Sequence, residues 1–257
     1  MGHYYKHDGA PCHKVPYADP EKGLRDTTIR DAKKLNLLPS VTEILNILAK
    51  PGLDIWKQQQ MMLAALTLPR IEGESDDELI KRIKADAKES AQKAADIGTA
   101  IHAALAAEWN RKGIYGNDWI WLALEVIEYI EEFTGIKEGW IAEESFASVD
   151  LGYGGTCDLY HPEEQIVIDY KTTETHLDKD GKLKNLVYPE QRLQLAAYAD
   201  GLFNKVDGIT AYNVYADYAG DICRHKYQLN HDDANHFWFI KRCWNFGKKY
   251  FPMPEAA

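Results

Sequence analysis

The stretch from Gly155 to Lys171 constrains this chain more than any other. Leu159 and Tyr160 carry a first strand away from Gly155-Thr156-Cys157-Asp158. Gln165-Ile166-Val167-Ile168 reads as a second strand, β-branched and apolar, leading into Asp169-Tyr170-Lys171. Between them His161-Pro162-Glu163-Glu164 forms a turn, with Pro162 fixing its own φ. The two strands are therefore expected to pair as a hairpin, which brings the Asp158 and Asp169 side chains close together.

Two neighbouring aspartates repel unless a cation lies between them. Oxygen ligands suit a hard ion such as Mg²⁺ or Mn²⁺. Asp169 and Lys171 alternate with Tyr170, so in a strand their side chains share a face. Lys171 would then stand beside the ion, with its charge free for an attacking water or a phosphoryl oxygen. That combination suits phosphodiester hydrolysis. Taken alone, Asp169-x-Lys171 also fits an exposed hairpin ion pair, so the rest of the chain must decide.

Residues 1–38 lack periodicity and read as an irregular arm. Ser40 followed by Glu43 is a capping box, opening a helix with Val41, Ile44, Leu45 and Leu48 on its apolar side and Pro51-Gly52 as its stop. A second helix is expected from Leu53 to Leu68. A long third one runs from Asp76 to Lys112, with Ile80, Ile83, Ala87, Ala91, Ala94 and Ala95 marking its buried side. Near its end stands Gly98-Thr99-Ala100-Ile101-His102. Gly98 is costly in a helix, which points to close packing or approach to a ligand. A fourth helix follows from Asn117 to Phe133.

From Trp140 the period becomes that of strands: Ile141–Val149, Tyr153–Tyr160 and Gln165–Lys171. Glu174–Leu186 reads as a polar loop. Then come a helix (Pro189–Phe203), strands near Thr210–Tyr218 and Asp221–Leu229, and a closing helix (Asp232–Tyr250). This order describes a mixed α/β fold (α+β): one central mixed sheet of about five strands flanked by helices, preceded by an N-terminal helical region. After the arm, residues 39–257 form one domain, helical over 39–135 and sheet-centred over 140–257.

No run of residues is long and apolar enough to span a membrane, and the first residues contain no apolar leader, so a cytoplasmic protein is expected. Cys12, Cys157, Cys223 and Cys243 are scattered without a C-x-x-C pair, against a zinc site or a disulfide scaffold. The net charge of −10 argues against tight non-specific binding to long duplex DNA, although a local basic groove can still guide a phosphate chain.

Five motifs in order carry a family resemblance: Gly98-Thr99-x-x-His102, a strand glutamate, Gly155-x-x-Asp158, Asp169-x-Lys171 and Gln194-x-x-x-Tyr198. Together they resemble the RecB-like branch of the PD-(D/E)XK nuclease superfamily. Pro39-Ser40-Val41-Thr42, Trp56-Lys57 and Ile168-Asp169-Tyr170-Lys171-Thr172 extend the likeness to the family of the mitochondrial genome maintenance exonuclease and its phage and bacterial relatives.

The resemblance implies a restriction-endonuclease-like core. It implies His102, Asp158, Asp169 and the Tyr170 carbonyl as metal ligands, and Lys171 as the catalytic lysine. Gln194 and Tyr198, one helical turn apart, would support that lysine or contact phosphates. The strand glutamate is Glu144, with Glu143 on the other face of the strand left open as the functional acid. Some relatives hold an iron–sulfur cluster with one early and three late cysteines. Cys12, Cys223 and Cys243 do not reproduce that pattern, so none is expected.

The function implied is a Mg²⁺- or Mn²⁺-dependent deoxyribonuclease. It would act as an exonuclease on single strands or DNA ends, leave 5′-phosphates, and serve recombination or repair in a bacterial or phage-infected cell, with a recombination protein as partner. An endonuclease or nickase of the same superfamily and a non-catalytic DNA-binding scaffold are the alternatives. Lys57, Arg111, Lys112 and Arg192 are candidate strand contacts.

Overall fold

A computed structural model describes residues 3–112, 116–173 and 187–252. The polar loop expected over Glu174–Leu186 lies outside these residues.

The first 38 residues are more regular than the sequence suggests. Strand β1 (Tyr4–Tyr5) pairs antiparallel with β4 (Leu38–Pro39), and between them β2 (Lys14–Pro16) pairs with β3 (Leu24–Asp26). Helix α1 (Ile29–Leu35) is opened by a Thr28–Asp31 capping box and closed by Asn36 in the left-handed region. These strands are two or three residues long, too short to show a period of two. Their order comes from tertiary anchors. Tyr4 and Tyr5 are buried, and the Tyr250 hydroxyl donates to the carbonyls of Ala32 and Leu37.

Ser40 caps α2 (Val41–Leu45), accepting from the Glu43 N–H. The helix ends at Leu45, not at Pro51; Pro51 instead opens α3 (Pro51–Thr67), where its missing N–H costs nothing. Helix α4 (Asp76–Trp109) starts on a Ser75–Glu78 capping box and is about 50 Å long. That outruns a sheet whose strands of 8 and 9 residues reach about 30 Å. Only its C-terminal third meets the core, through Ile101, Ala104, Leu105 and Ala107. The expected buried side is therefore only partly right: Ala87 is buried, but Ile80 is 47% exposed and Ala95 is exposed. Helix α5 (Ile120–Thr134) runs back and is closed by Gly135 at φ 72°.

Strands β5 (Ile141–Ser148), β6 (Tyr153–His161) and β7 (Ile166–Thr173) form the expected meander. Helix α6 (Pro189–Phe203) crosses over to β8 (Thr210–Asp217), which pairs parallel with β7; β9 (Ile222–Gln228) and α7 (His231–Lys248) close the chain. The sheet order is β5-β6-β7-β8-β9, antiparallel except at β7–β8. The mixed five-stranded sheet flanked by helices is thus present.

Apolar residues fill both faces. Val41, Ile44, Leu195, Phe237 and Trp244 join Val167 and Ala211 in one cluster. Ile101, Leu105, Leu122 and Ile130 join Ile168 and Val214 in the other. Adjacent Val167 and Ile168 belong to opposite clusters, as strand alternation requires. Burial on both faces explains why β7 and β8 read as nearly continuous apolar runs. No helix among the described residues is long and apolar enough to cross a membrane.

Candidate metal centre

The site forms where the β6–β7 ladder opens. Those strands pair at Leu159–Ile168, Tyr160–Val167 and His161–Ile166. One step further, Asp158 Oδ2 accepts the Tyr170 backbone N–H at 2.8 Å, so a side chain supplies the acceptor beside the ladder. Helix α4 brings His102 to this point from the buried end of its long run. The ring Nδ1 lies 3.6 Å from Asp158 Oδ1 and 3.9 Å from Glu143 Oε1. Gly98 allows the close approach of α4 to β7: a Cβ there would sit 2.9 Å from Thr172 Oγ1. The expected close-packing role for that glycine is met.

His102, Glu143 and Asp158 offer one ligand atom each within 4.8 Å of one another. Of the two strand glutamates, it is therefore Glu143 that reaches the group. Pairs Ala142–Leu159 and Glu144–Cys157 flank it, so Glu143 stands opposite Asp158. Its φ is +55°, in the left-handed region that non-glycine residues avoid. Strain of this kind costs about 1–3 kcal/mol and persists where surrounding structure holds it. Glu144, the residue expected as the site acid, lies outside both the group and the cavity around it, whereas Glu143, itself partly exposed, belongs to both.

Asp169, expected as a ligand, is not part of this three-residue group. It is 2% exposed and fully engaged by the protein. Oδ2 meets the Lys171 ammonium at 2.6 Å and accepts from Asn213 Nδ2 at 2.8 Å. Oδ1 accepts from Gln194 Nε2 at 2.8 Å. Gln194 Oε1 in turn lies 3.3 Å from Lys171 Nζ, and its Nε2 also reaches the Tyr198 hydroxyl at 2.9 Å. The face shared by Gln194 and Tyr198 on α6 therefore supports the lysine, one of the two roles expected for it. Tyr170 presents its N–H to Asp158, while its hydroxyl accepts from Trp109 Nε1 at 2.9 Å.

Electrostatics follow from this crowding. Burial pushes the Glu143 carboxyl up to about 7, helped by Asp158 opposite it. Burial alone would lower His102, but Asp158, Asp169 and Glu143 outweigh it and raise the ring to about 9. Burial opposes the Lys171 charge as well, yet Asp169 and Asp158 hold it as an ammonium, with its pKa above the usual lysine value.

The donor set fits a hard divalent ion: one imidazole, two carboxylates and no thiolate. Two opposed carboxylates, one with its acidity suppressed, are what a cation between them would relieve. The group opens into a cavity of about 790 Å³, which Asp169, Lys171, Gln194 and Tyr198 also line.

Asn213 and Trp109 were missed by sequence reasoning. Asn213 had a legible signal, a lone amide inside the apolar strand Thr210–Asp217, since a buried amide needs a partner. Trp109 had none, because its partner is 61 residues away. Among the expected strand contacts, Arg192 is committed elsewhere: its guanidinium pairs with Asp233 at 2.6 Å. Lys57, Arg111 and Lys112 are exposed and do not line the cavity.

No family model matches this sequence, and no curated protein does. Among solved structures, the crystal structure of SSO0001 aligns at 16% identity and a TM-score of 0.32, covering 61% of this chain and 77% of that one. A likeness this slight carries no argument about the present site.

Proposed function

We propose that this chain is a divalent-metal-dependent deoxyribonuclease of the PD-(D/E)XK type, cutting phosphodiester bonds of DNA strands or ends and leaving 5′-phosphates. One observation supports this above the rest. Buried Asp169, paired with half-buried Lys171, adjoins the His102–Glu143–Asp158 group inside one cavity. A surface ion pair would need neither burial nor the clamp of Gln194 and Asn213.

His102, Glu143 and Asp158 would hold Mg²⁺ or Mn²⁺, which when bound supplies Lewis acidity toward a phosphodiester oxygen. Lys171 faces the same cavity with a fixed positive charge, suited to the charge that develops on the phosphoryl oxygens during attack by water. Asp169, Gln194 and Asn213 keep that ammonium from swinging away. Tyr198 fixes the Gln194 amide, so that its oxygen points at Lys171. Preorganisation of this kind lowers the barrier because nothing need reorient during the reaction.

Incubation with 5′- and 3′-labelled single- and double-stranded DNA in Mg²⁺ or Mn²⁺ tests the reading. Progressive loss from ends is expected, with no cuts in circular DNA. Internal cuts would move the reading to an endonuclease, and no cleavage in either metal would end it.

A further inference from the structure

The N-terminal arm reaches the same cavity. His3, Tyr5 and His13 line it, and none of them belongs to the metal group or the lysine clamp. The His3 and His13 rings are stacked, with centroids 4.5 Å apart and planes inclined by 22°. Tyr5 meets His13 edge-on at 5.1 Å.

Backbone bonds hold this stack in place. The Ser40 N–H donates to the His3 carbonyl at 2.9 Å, and the Thr27 N–H donates to the His13 carbonyl at 2.9 Å. The Tyr5 hydroxyl lies 2.9 Å from Thr156 Oγ1. Thr156 is two residues before Asp158 on β6, so the two share a face of that strand. The stack is thus anchored beside a candidate metal ligand. His13, the inner ring, is half-buried under Tyr5 and His3; His3, the outer ring, is exposed. Burial and the neighbouring His3 push the His13 pKa down, which favours an uncharged ring there.

We propose that the His3–His13 stack is a platform for one nucleobase of the strand held in the cavity, adding a third ring without reading base identity. This rests on the nuclease reading of the metal centre. A flat ring with a free face and a neutral partner beneath it suits a base better than a phosphate, which calls for positive charge. Every base has a π-face, so such a platform grips any sequence. It would also let a chain of net charge −10 hold a strand with few cations. The cavity of about 790 Å³ is in the range that accommodates a nucleotide-sized ligand.

The test moves a single abasic position along a single-stranded oligonucleotide and compares wild type with His3→Ala and His3→Phe. In wild type, one abasic position should lower kcat/KM roughly tenfold or more, mainly through KM. His3→Ala should show that loss already on the intact strand and no further loss on the abasic one, and His3→Phe should restore most of it. Equal abasic sensitivity in wild type and His3→Ala overturns the platform. If wild type cuts nothing in Mg²⁺ or Mn²⁺, the nuclease reading fails separately. The platform is then decided by binding of a 2-aminopurine oligonucleotide. Quenching in wild type that disappears in His3→Ala keeps it, and no difference or no binding overturns it.

Discussion

The Lys171 ammonium lies 2.6 Å from Asp169 Oδ2, and Gln194 bridges the two, donating to Asp169 and accepting toward Lys171. Lys171→Met should therefore keep the fold and the metal group while removing the positive charge of this clamp. Cleavage should drop roughly 10²-fold or more, the usual cost of losing a preorganised electrostatic contact. Mn²⁺ titration calorimetry on the same variant should match wild type; a variant that still cuts at the wild-type rate would remove Lys171 from the mechanism.

Glu143 and Glu144 separate cleanly. Glu143→Gln should weaken Mn²⁺ binding roughly tenfold or more, because one of three charged or imidazole donors is lost. Glu144→Gln should leave it unchanged, since that side chain is exposed away from the cavity. The same calorimetry decides, and the opposite ranking would restore the assignment to Glu144.

Asn213 is 0% exposed and donates to Asp169. Asn213→Ala removes that donor and leaves a small void, so unfolding free energy should fall by about 1–3 kcal/mol. Urea denaturation reads this. Activity should fall as well, because the carboxylate that positions Lys171 loses a fixed contact. Stability equal to wild type would show that the amide contributes nothing there.

Lys241 is 7% exposed, and burial pushes its pKa down to about 8 from the ordinary 10.5. At pH between these values the unfolded chain carries this proton and the folded chain does not. Its penalty is therefore complete below about pH 8 and fades as pH rises toward 10.5. Lys241→Met should be more stable than wild type at neutral pH. The gap should narrow by on the order of 2–3 kcal/mol across that window. Buried cysteines and tyrosines titrate in both proteins, so their effect cancels in the difference. Urea midpoints measured from pH 7 to 10.5 check it, and a constant gap would refute the buried charge.

Much of the fold was legible because its signals are local. Ser40 with Glu43, Pro189 at a first helical position and the shift of period at Trp140 each act within a few residues, and each element appears near its expected place. The Leu45 stop of α2 was misplaced because Pro51 works equally as a terminator or as a first helical residue. The exposed half of α4 was misjudged because periodicity reports an apolar side without saying whether anything covers it.

The candidate site divides in the same way. Strand alternation puts Asp169 and Lys171 on one face and helical spacing does the same for Gln194 and Tyr198, since both are properties of the local backbone. The link between the two pairs came from the family resemblance. Which glutamate turns inward could not be read locally, because period two makes adjacent residues mirror choices. The left-handed φ of Glu143 is imposed by its surroundings rather than by its own preference. That Asp169 is clamped by Lys171, Gln194 and Asn213 rather than grouped with His102 is likewise a matter of distances between elements. The sequence by itself determined the elements and the chemistry they carry, because dihedral preferences and side-chain spacing act over a few residues. Only the tertiary structure decided which donors converge, and that the arm joins them, because contacts such as Tyr5 with Thr156 span 151 residues of chain.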